Sequence, residues 1–285
     1  TDIIKVFYKQ NDVKILALHT NGFFSDRVYN IAKEVLKACP NMTLCVSLSI
    51  DGFEHTHEKI RGLKGSFNKL LKTIEMLKEF KGMDNFDINM NTTLMNWNRD
   101  EIFELHEFVT NKLEIPHDVG YLRGEPKKTL GSDENLEVYK KMSKFIEMYQ
   151  ANRNHPYPFS AIKDALVQVG KDIVVKKEET KEHVILCQAG KKSIVINEEG
   201  DVFPCERLNK KLGNLRDYDY DINKILDKKE TKNLTKWIKE SKCSCTWECI
   251  IPLNTIHSLK GNMMLMNKVA SNYGLIIKNK ILNNG

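Results

Sequence analysis

Between residues 13 and 125, four short apolar runs, VKILAL, LCVSLSI, INMNTTL and DVGYL, alternate with segments of helical periodicity. Each run ends in polar or glycine-containing sequence: HTNG, DG, MNWN and RGEP. This alternation constrains the fold more than any other feature, because strands separated by helices build a parallel β/α architecture. Val28, Ile31, Ala32, Val35 and Leu36 share one helical face, as do Phe67, Leu70, Leu71, Ile74 and Leu77, so these segments read as helices packed on a sheet. Ser66 is expected to N-cap the second of them, and Asn98 with Glu101 has capping-box spacing ahead of IFELHEFV. In such folds chemistry sits where the carboxyl ends of the strands feed the next loops. The four polar strand ends are therefore candidate site positions.

From Ser132 to about Lys181 the pattern turns helical: ENLEVYKKMSKFIEMYQ, a proline-containing break at NRNHPYPFS, then a second helix. Next, HVILCQAGKKSIVINEEGDVFPCERL reads as two strands joined at EEGD, with Gly200 free to take a positive φ in the turn. That hairpin brings Cys187, before its first strand, toward Cys205, at the end of its second. The helix NLTKWIKESK then leads into CSCTWEC, which packs Cys243, Cys245 and Cys249 into seven residues. There is no internal repeat or low-complexity tract. Three parts are expected: residues 1–131, a helical connector over 132–181, and a cysteine-rich domain over 182–285.

Three thiols this close could belong to a disulfide framework, but the rest of the chain argues against one. With 285 residues, 41% of them hydrophobic, the fold needs no covalent staples. No signal peptide opens the sequence, and no apolar run approaches the roughly 20 residues that span a bilayer. A cytoplasmic protein is expected, where clustered cysteines mean metal or catalysis. The net charge of +6 is mild and spread along the chain, and no basic block interleaves with aromatics, so neither nucleic acid nor membrane is an expected partner.

Five of the seven cysteines lie in the last hundred residues. Cys39 and Cys45, at a helix end and inside an apolar strand, read as buried structural thiols. Zinc and iron–sulfur clusters both accept four thiolates. The spacing Cys-x-Cys-x-x-x-Cys lacks the two-residue gap of a zinc knuckle and suits a larger body better, which favours iron–sulfur over zinc.

The region from Cys187 to Cys249 resembles the SPASM, or shorter twitch, extension of radical S-adenosylmethionine (radical SAM) enzymes. That pattern runs from a cysteine through a spacer to a glycine, four residues and a second cysteine, as Cys187, Gly200, DVFP and Cys205 do here. Five cysteines cannot fill two sets of four, so the resemblance implies one auxiliary 4Fe-4S cluster with a thiol to spare. Cys187 and Cys205 are the firmest ligands, and two of Cys243, Cys245 and Cys249 complete the set. The N-terminal half resembles the later strands of the radical SAM partial (β/α)6 barrel. TNG, Thr20 to Gly22, matches the end of its third strand, and SIDG, Ser49 to Gly52, with HEKIRG behind it, matches the fourth.

By that match Ser49 and Arg61 contact the methionyl part of S-adenosylmethionine, with Thr20, Asn21 and Asp51 beside them. Asn91 and Leu122 lie along the nucleoside at the ends of the fifth and sixth strands. His55 and His57 read as solvated loop residues. The implied chemistry is hydrogen abstraction by a 5′-deoxyadenosyl radical, on a peptide, protein or small-molecule substrate, with a reductant such as flavodoxin or ferredoxin.

The match lacks its defining part. No Cys-x-x-x-Cys-x-x-Cys spacing occurs in the sequence, nor does a glycine-glycine-glutamate-proline motif ahead of TNG; RGEP follows the last strand and is a coincidence. A sheet that began at the third strand would leave an edge and a core face uncovered. The expectation is therefore a piece of a longer protein, inactive alone, with the catalytic cluster held by an N-terminal segment. The rival is a non-catalytic scaffold with structural zinc or iron–sulfur. A β/α enzyme unrelated to S-adenosylmethionine is disfavoured by the family order of the motifs.

Overall fold

A computed structural model describes residues 1–124, 126–152 and 160–283, which form two units that divide between Ser160 and Ala161. Glu125 of RGEP and residues 153–159 of the proline-containing break lie outside the described residues.

The first unit runs α1 (Asp2–Asn11), β1 (Ile15–Thr20), α2 (Ser25–Ala38), β2 (Thr43–Ser49), α3 (Glu54–Arg61), α4 (Ser66–Leu77), β3 (Phe86–Leu94), α5 (Ile102–Glu107), β4 (His117–Tyr121), α6 (Lys127–Leu130) and α7 (Asp133–Asn152). All four expected strands form. They pair in parallel in the order β1-β2-β3-β4, as strand–helix alternation requires.

The register sorts the side chains onto two unlike faces. Leu44, Val46 and Leu48 of β2, Met90 and Leu94 of β3, and Val119 of β4 share one face and are fully buried. The apolar stripes of α2 and α4 close over this side, with Ala32, Leu70 and Leu77 equally buried. Removing one such side chain to alanine costs about 2–5 kcal/mol. The opposite face is polar. It carries His19, Ser47, Ser49, Asp87, Asn89, Asn91, Thr93 and Asp118, with Ser47 paired to Asn89, Ser49 to Asn91, and Asn91 to Asp118 across the strands. Ser47 Oγ donates to Asn89 Oδ1 at 2.6 Å, and Asn89 Nδ2 to Asn91 Oδ1 at 3.3 Å.

The TNG turn after β1 owes its glycine to two constraints. Gly22 sits at φ +70°, and a Cβ there would lie 2.7 Å from Leu70 Cδ1 and 3.2 Å from Leu48 Cδ2. Two expected caps do not form. Ser66 is the first helical residue of α4, behind Gly65 at φ +77°, so its hydroxyl caps nothing. Asn98 and Glu101 spend their side chains on other strand-end loops. At Asn98 and Glu101 capping is overridden by tertiary hydrogen bonds.

The second unit contains α8 (Ser160–Thr180), β5 (Val195–Ile196), β6 (Asp201–Phe203), β7 (Gly213–Asn214), α9 (Ile222–Leu226), α10 (Lys229–Glu240), α11 (Ile251–Ile256) and α12 (Leu259–Asn283). The connector expected over 132–181 thus supplies α7 to the first unit and α8 to the second. The antiparallel sheet β5-β6-β7 turns at Gly200, φ +83°, as the EEGD segment requires. Val202, Leu212 and Ile225 form its small core. Among the described residues no helix is long and apolar enough to cross a membrane.

Candidate functional site

Two groups of residues gather in these units, each within its own unit. The first occupies the carboxyl ends of β1 to β4. Ser49 ends β2 and pairs with Asn91 of β3, both half-buried on the polar face. Asp51, one turn of chain beyond β2, is 3% exposed and held on every side. Its Oδ2 meets Arg61 Nη2 at 2.6 Å, its Oδ1 accepts from the Thr93 amide at 3.3 Å, and its carbonyl accepts from Asn98 Nδ2 at 2.9 Å. Its own amide donates to His57 Nδ1 at 3.1 Å. Arg61 sits in the last turn of α3, with its side chain 32% exposed beside that buried carboxylate.

His57 corrects the sequence expectation: it lies in α3 and is 1% exposed, whereas His55 is exposed as expected. Because Nδ1 accepts a hydrogen bond, the neutral ring carries its proton on Nε2. Burial lowers its pKa below 6.5, with Asp51 opposing and Arg61 reinforcing that shift. Glu101 Oε1 accepts from the Phe53 amide at 3.1 Å, and any Cβ on Gly52 would collide with it. A DG dipeptide is therefore needed where the Glu101 carboxylate closes on the loop.

Thr20 and Asn21 brace their own turn: Thr20 Oγ1 accepts from the Gly22 amide at 3.2 Å and Asn21 Oδ1 from the Phe23 amide at 3.1 Å. Leu122 is buried just past β4. The sequence reading missed His57, Asn98, Glu101 and most of the polar face. Only the last had a local signal, the polar residue at every second position of DINMNTTL.

The second group is the thiol cluster. Cys205 lies just past β6, and Cys187 precedes β5 by a turn that the Ala189–Ser193 bridge closes. Helix α10 delivers Cys243 through a Schellman turn: Lys242 takes φ +52°, its amide bonds Lys239 O at 3.2 Å, and the Cys243 amide bonds Ile238 O at 3.1 Å. Asn254 of α11 fixes the chain just after Cys187 by accepting from the Gln188 amide at 2.8 Å. Cys187, Cys205, Cys243, Cys245 and Cys249 all line one cavity of about 510 Å³, walled by Ile194, Leu208, Trp237, Trp247 and Ile250. Trp247 is held there by its indole N–H, which donates to Glu206 Oε2 at 2.7 Å.

No disulfide joins the cysteines. Burial pushes the Cys187 thiol up to about 11, with Cys243, Cys245 and Cys205 adding to the rise. Burial raises Cys243 as well, again with Cys245 and Cys205 behind it. Cys187, Cys205, Cys243 and Cys245 are half-buried, while Cys249 at the same cavity is exposed. Backbone amides already point at two sulfurs, Ala189 toward Cys187 and Leu208 toward Cys205 at 3.3 Å. The donor set fits a metal cluster: soft thiols around a cavity with body, apolar walls and N–H···S bonds. Among the described residues no three His, Cys, Asp or Glu side chains stand close enough to hold a single ion. Cys39 and Cys45 are buried in the first unit, as expected of structural thiols.

A family model described as an iron–sulfur cluster-binding domain, SPASM, matches residues 187–250. Over 180 residues the chain is 26% identical to the AdoMet-dependent heme synthase of Methanosarcina barkeri (strain Fusaro / DSM 804), covering 60% of this chain and 50% of that protein. Over 174 residues it is 26% identical to the sporulation killing factor maturation protein SkfB of Bacillus subtilis (strain 168), covering 60% and 38%. The chain spans half or less of the length of these curated relatives. Together with the TNG and SIDG strand ends and the ring of thiols, these matches support a radical SAM-type protein with a SPASM iron–sulfur domain.

Proposed function

We propose that the chain is the substrate- and cofactor-facing part of a radical SAM enzyme. Residues 1–131 would form the later strands of a partial (β/α)6 barrel, 132–181 a connector and 182–285 the auxiliary-cluster domain, in a cytoplasmic protein. S-adenosylmethionine bound at a reduced catalytic 4Fe-4S cluster supplies a 5′-deoxyadenosyl radical able to abstract hydrogen. That cluster would be held outside residues 1–285, and the open edge of β1 beside the exposed Ile3, Val6 and Phe7 of α1 supports further structure there.

This chain's own residues bind and orient. The Ser49 hydroxyl and the Arg61 guanidinium hold the methionyl carboxylate, and Asp51 acts by aiming Arg61 rather than by touching the cofactor. Asn91 and Leu122 flank the nucleoside, while Thr20 and Asn21 shape the loop beside it. The polar sheet face, with Asp87, Asn89 and Asp118, suits a substrate rich in hydrogen-bonding groups, which favours a peptide or protein over an apolar small molecule. The maturation protein among the relatives agrees with that choice.

In the second unit Cys187, Cys205, Cys243 and Cys245 hold one auxiliary 4Fe-4S cluster, and Cys249 is the spare thiol. The carrying observation is that all five thiols line one cavity, where Cys187, Cys205, Cys243 and Cys245 are half-buried and Cys249 is exposed. Anaerobic reconstitution tests it. The chain is expected to take up about four irons and turn brown. Cys187→Ala or Cys205→Ala should abolish uptake and Cys249→Ala should keep it. A colourless protein with one zinc would support the scaffold instead.

A further inference from the structure

Cys187 also borders a second cavity, of about 540 Å³. This groove runs between residues 186–191 and α10. Lys232, Lys236 and Lys239 of α10, spaced four and three residues apart, share the helix face that lines it, and Lys191 faces them from the loop. All four are exposed. The described lining includes no carboxylate and no aromatic ring. Two lysines have partners on the same side of the unit, Lys232 with Asp227 at 3.0 Å and Lys236 with Glu240 at 3.7 Å. Those carboxylates are 76% and 63% exposed, and such pairs hold a cation weakly.

We infer that this lysine groove is the docking surface for a small acidic one-electron carrier protein, a flavodoxin or ferredoxin type, which exchanges an electron with the cluster through the Cys187 side. The inference rests on the cluster assignment above. Charge complementarity carries the identity of the partner: four ammonium groups on one face attract an acidic surface and steer its approach. The lack of aromatic rings leaves bases nothing to stack on, which disfavours nucleic acid. Place carries the role, because Cys187 belongs at once to the thiol ring and to the groove. In the step itself one electron leaves the carrier's reduced flavin or iron–sulfur centre and reduces the cluster by one; no bond or proton moves.

The test uses the full chain, reconstituted with iron, and a purified acidic flavodoxin, with basic cytochrome c as the charge control. Calorimetry should detect flavodoxin binding that weakens as salt rises, and no binding of cytochrome c. Lys232→Glu/Lys236→Glu/Lys239→Glu should weaken binding about tenfold or more and slow cluster bleaching by reduced flavodoxin in proportion, with iron content unchanged. Lys210→Glu, outside the groove, should alter neither. Unchanged affinity and rate in the triple variant would overturn the inference, as would a single-stranded oligonucleotide that occupies the groove when flavodoxin does not. Failure of the wild-type chain to bind iron would instead refute the cluster assignment, and is read separately from the binding titration.

Discussion

Asn98 offers the sharpest test of how the loop after β2 is held. Its side chain is fully buried and makes three hydrogen bonds: Oδ1 accepts from the Met95 amide at 2.8 Å, and Nδ2 donates to the carbonyls of Asp51 and Thr93, both at 2.9 Å. Asn98→Ala leaves one buried donor and two buried acceptors without it. At about 1–1.5 kcal/mol for each bond, the loss is about 3–4 kcal/mol. Asn98→Asp keeps the shape and the bond from Met95 but turns an oxygen toward two carbonyls. It also buries a charge, so at neutral pH it should cost at least as much. Its carboxyl would be held above the usual range, since the folded state favours the neutral, donating form. The penalty relative to wild type should then shrink as pH falls through that raised pKa, and vanish for the most part below about 4. Native-state hydrogen exchange at the Asp51, Phe53 and Met95 amides, read at two pH values, measures this locally. An aspartate variant as protected as wild type at neutral pH, or an alanine variant costing under about 1 kcal/mol, would refute the account.

His57 should make the same loop acid-sensitive. Its folded pKa lies below 6.5, so below pH 6.5 the unfolded loop binds a proton that the folded one refuses. Stability from this group is complete above that pH and falls by up to about 1.4 kcal/mol per pH unit below it, down to the folded pKa. His57→Gln should flatten that slope in hydrogen exchange of α3. Lys242→Gly should stabilise the second unit: relief of a left-handed lysine gains about 1–2 kcal/mol, and the freer unfolded glycine returns about 0.5–1 kcal/mol. Urea unfolding followed at Trp237 and Trp247 would read this, and no stabilisation would contradict it. Leu48→Ala should cost about 2–5 kcal/mol in urea unfolding of the first unit, because its side chain is fully buried on the apolar face of the sheet.

The four apolar runs and the helical stripes between them specify the parallel sheet locally, since period-two and period-3.6 patterns leave one packing solution. The hairpin at Gly200 and the clustering of five thiols were legible for the same reason: turn chemistry and short spacing are properties of neighbouring residues. What the loop residues do was not legible. Ser66 and the Asn98–Glu101 pair look like caps in one dimension, yet Asn98 and Glu101 close on residues about 48 positions away, Asp51 and Phe53. His57 looks like a solvated loop histidine until α3 turns it inward.

Likewise, the spacing of CSCTWEC allowed any two of three thiols to complete a ligand set. The Schellman turn at Lys242 helps to leave Cys243 half-buried at the same cavity as Cys187, Cys205 and Cys245 while Cys249 is exposed, which supports the first four as the set. Local pattern determined the elements, the kind of sheet and the clustering of thiols. Long-range packing alone decided which side chains are desolvated together, and desolvation is what turns a polar residue into a brace, a ligand or a bystander.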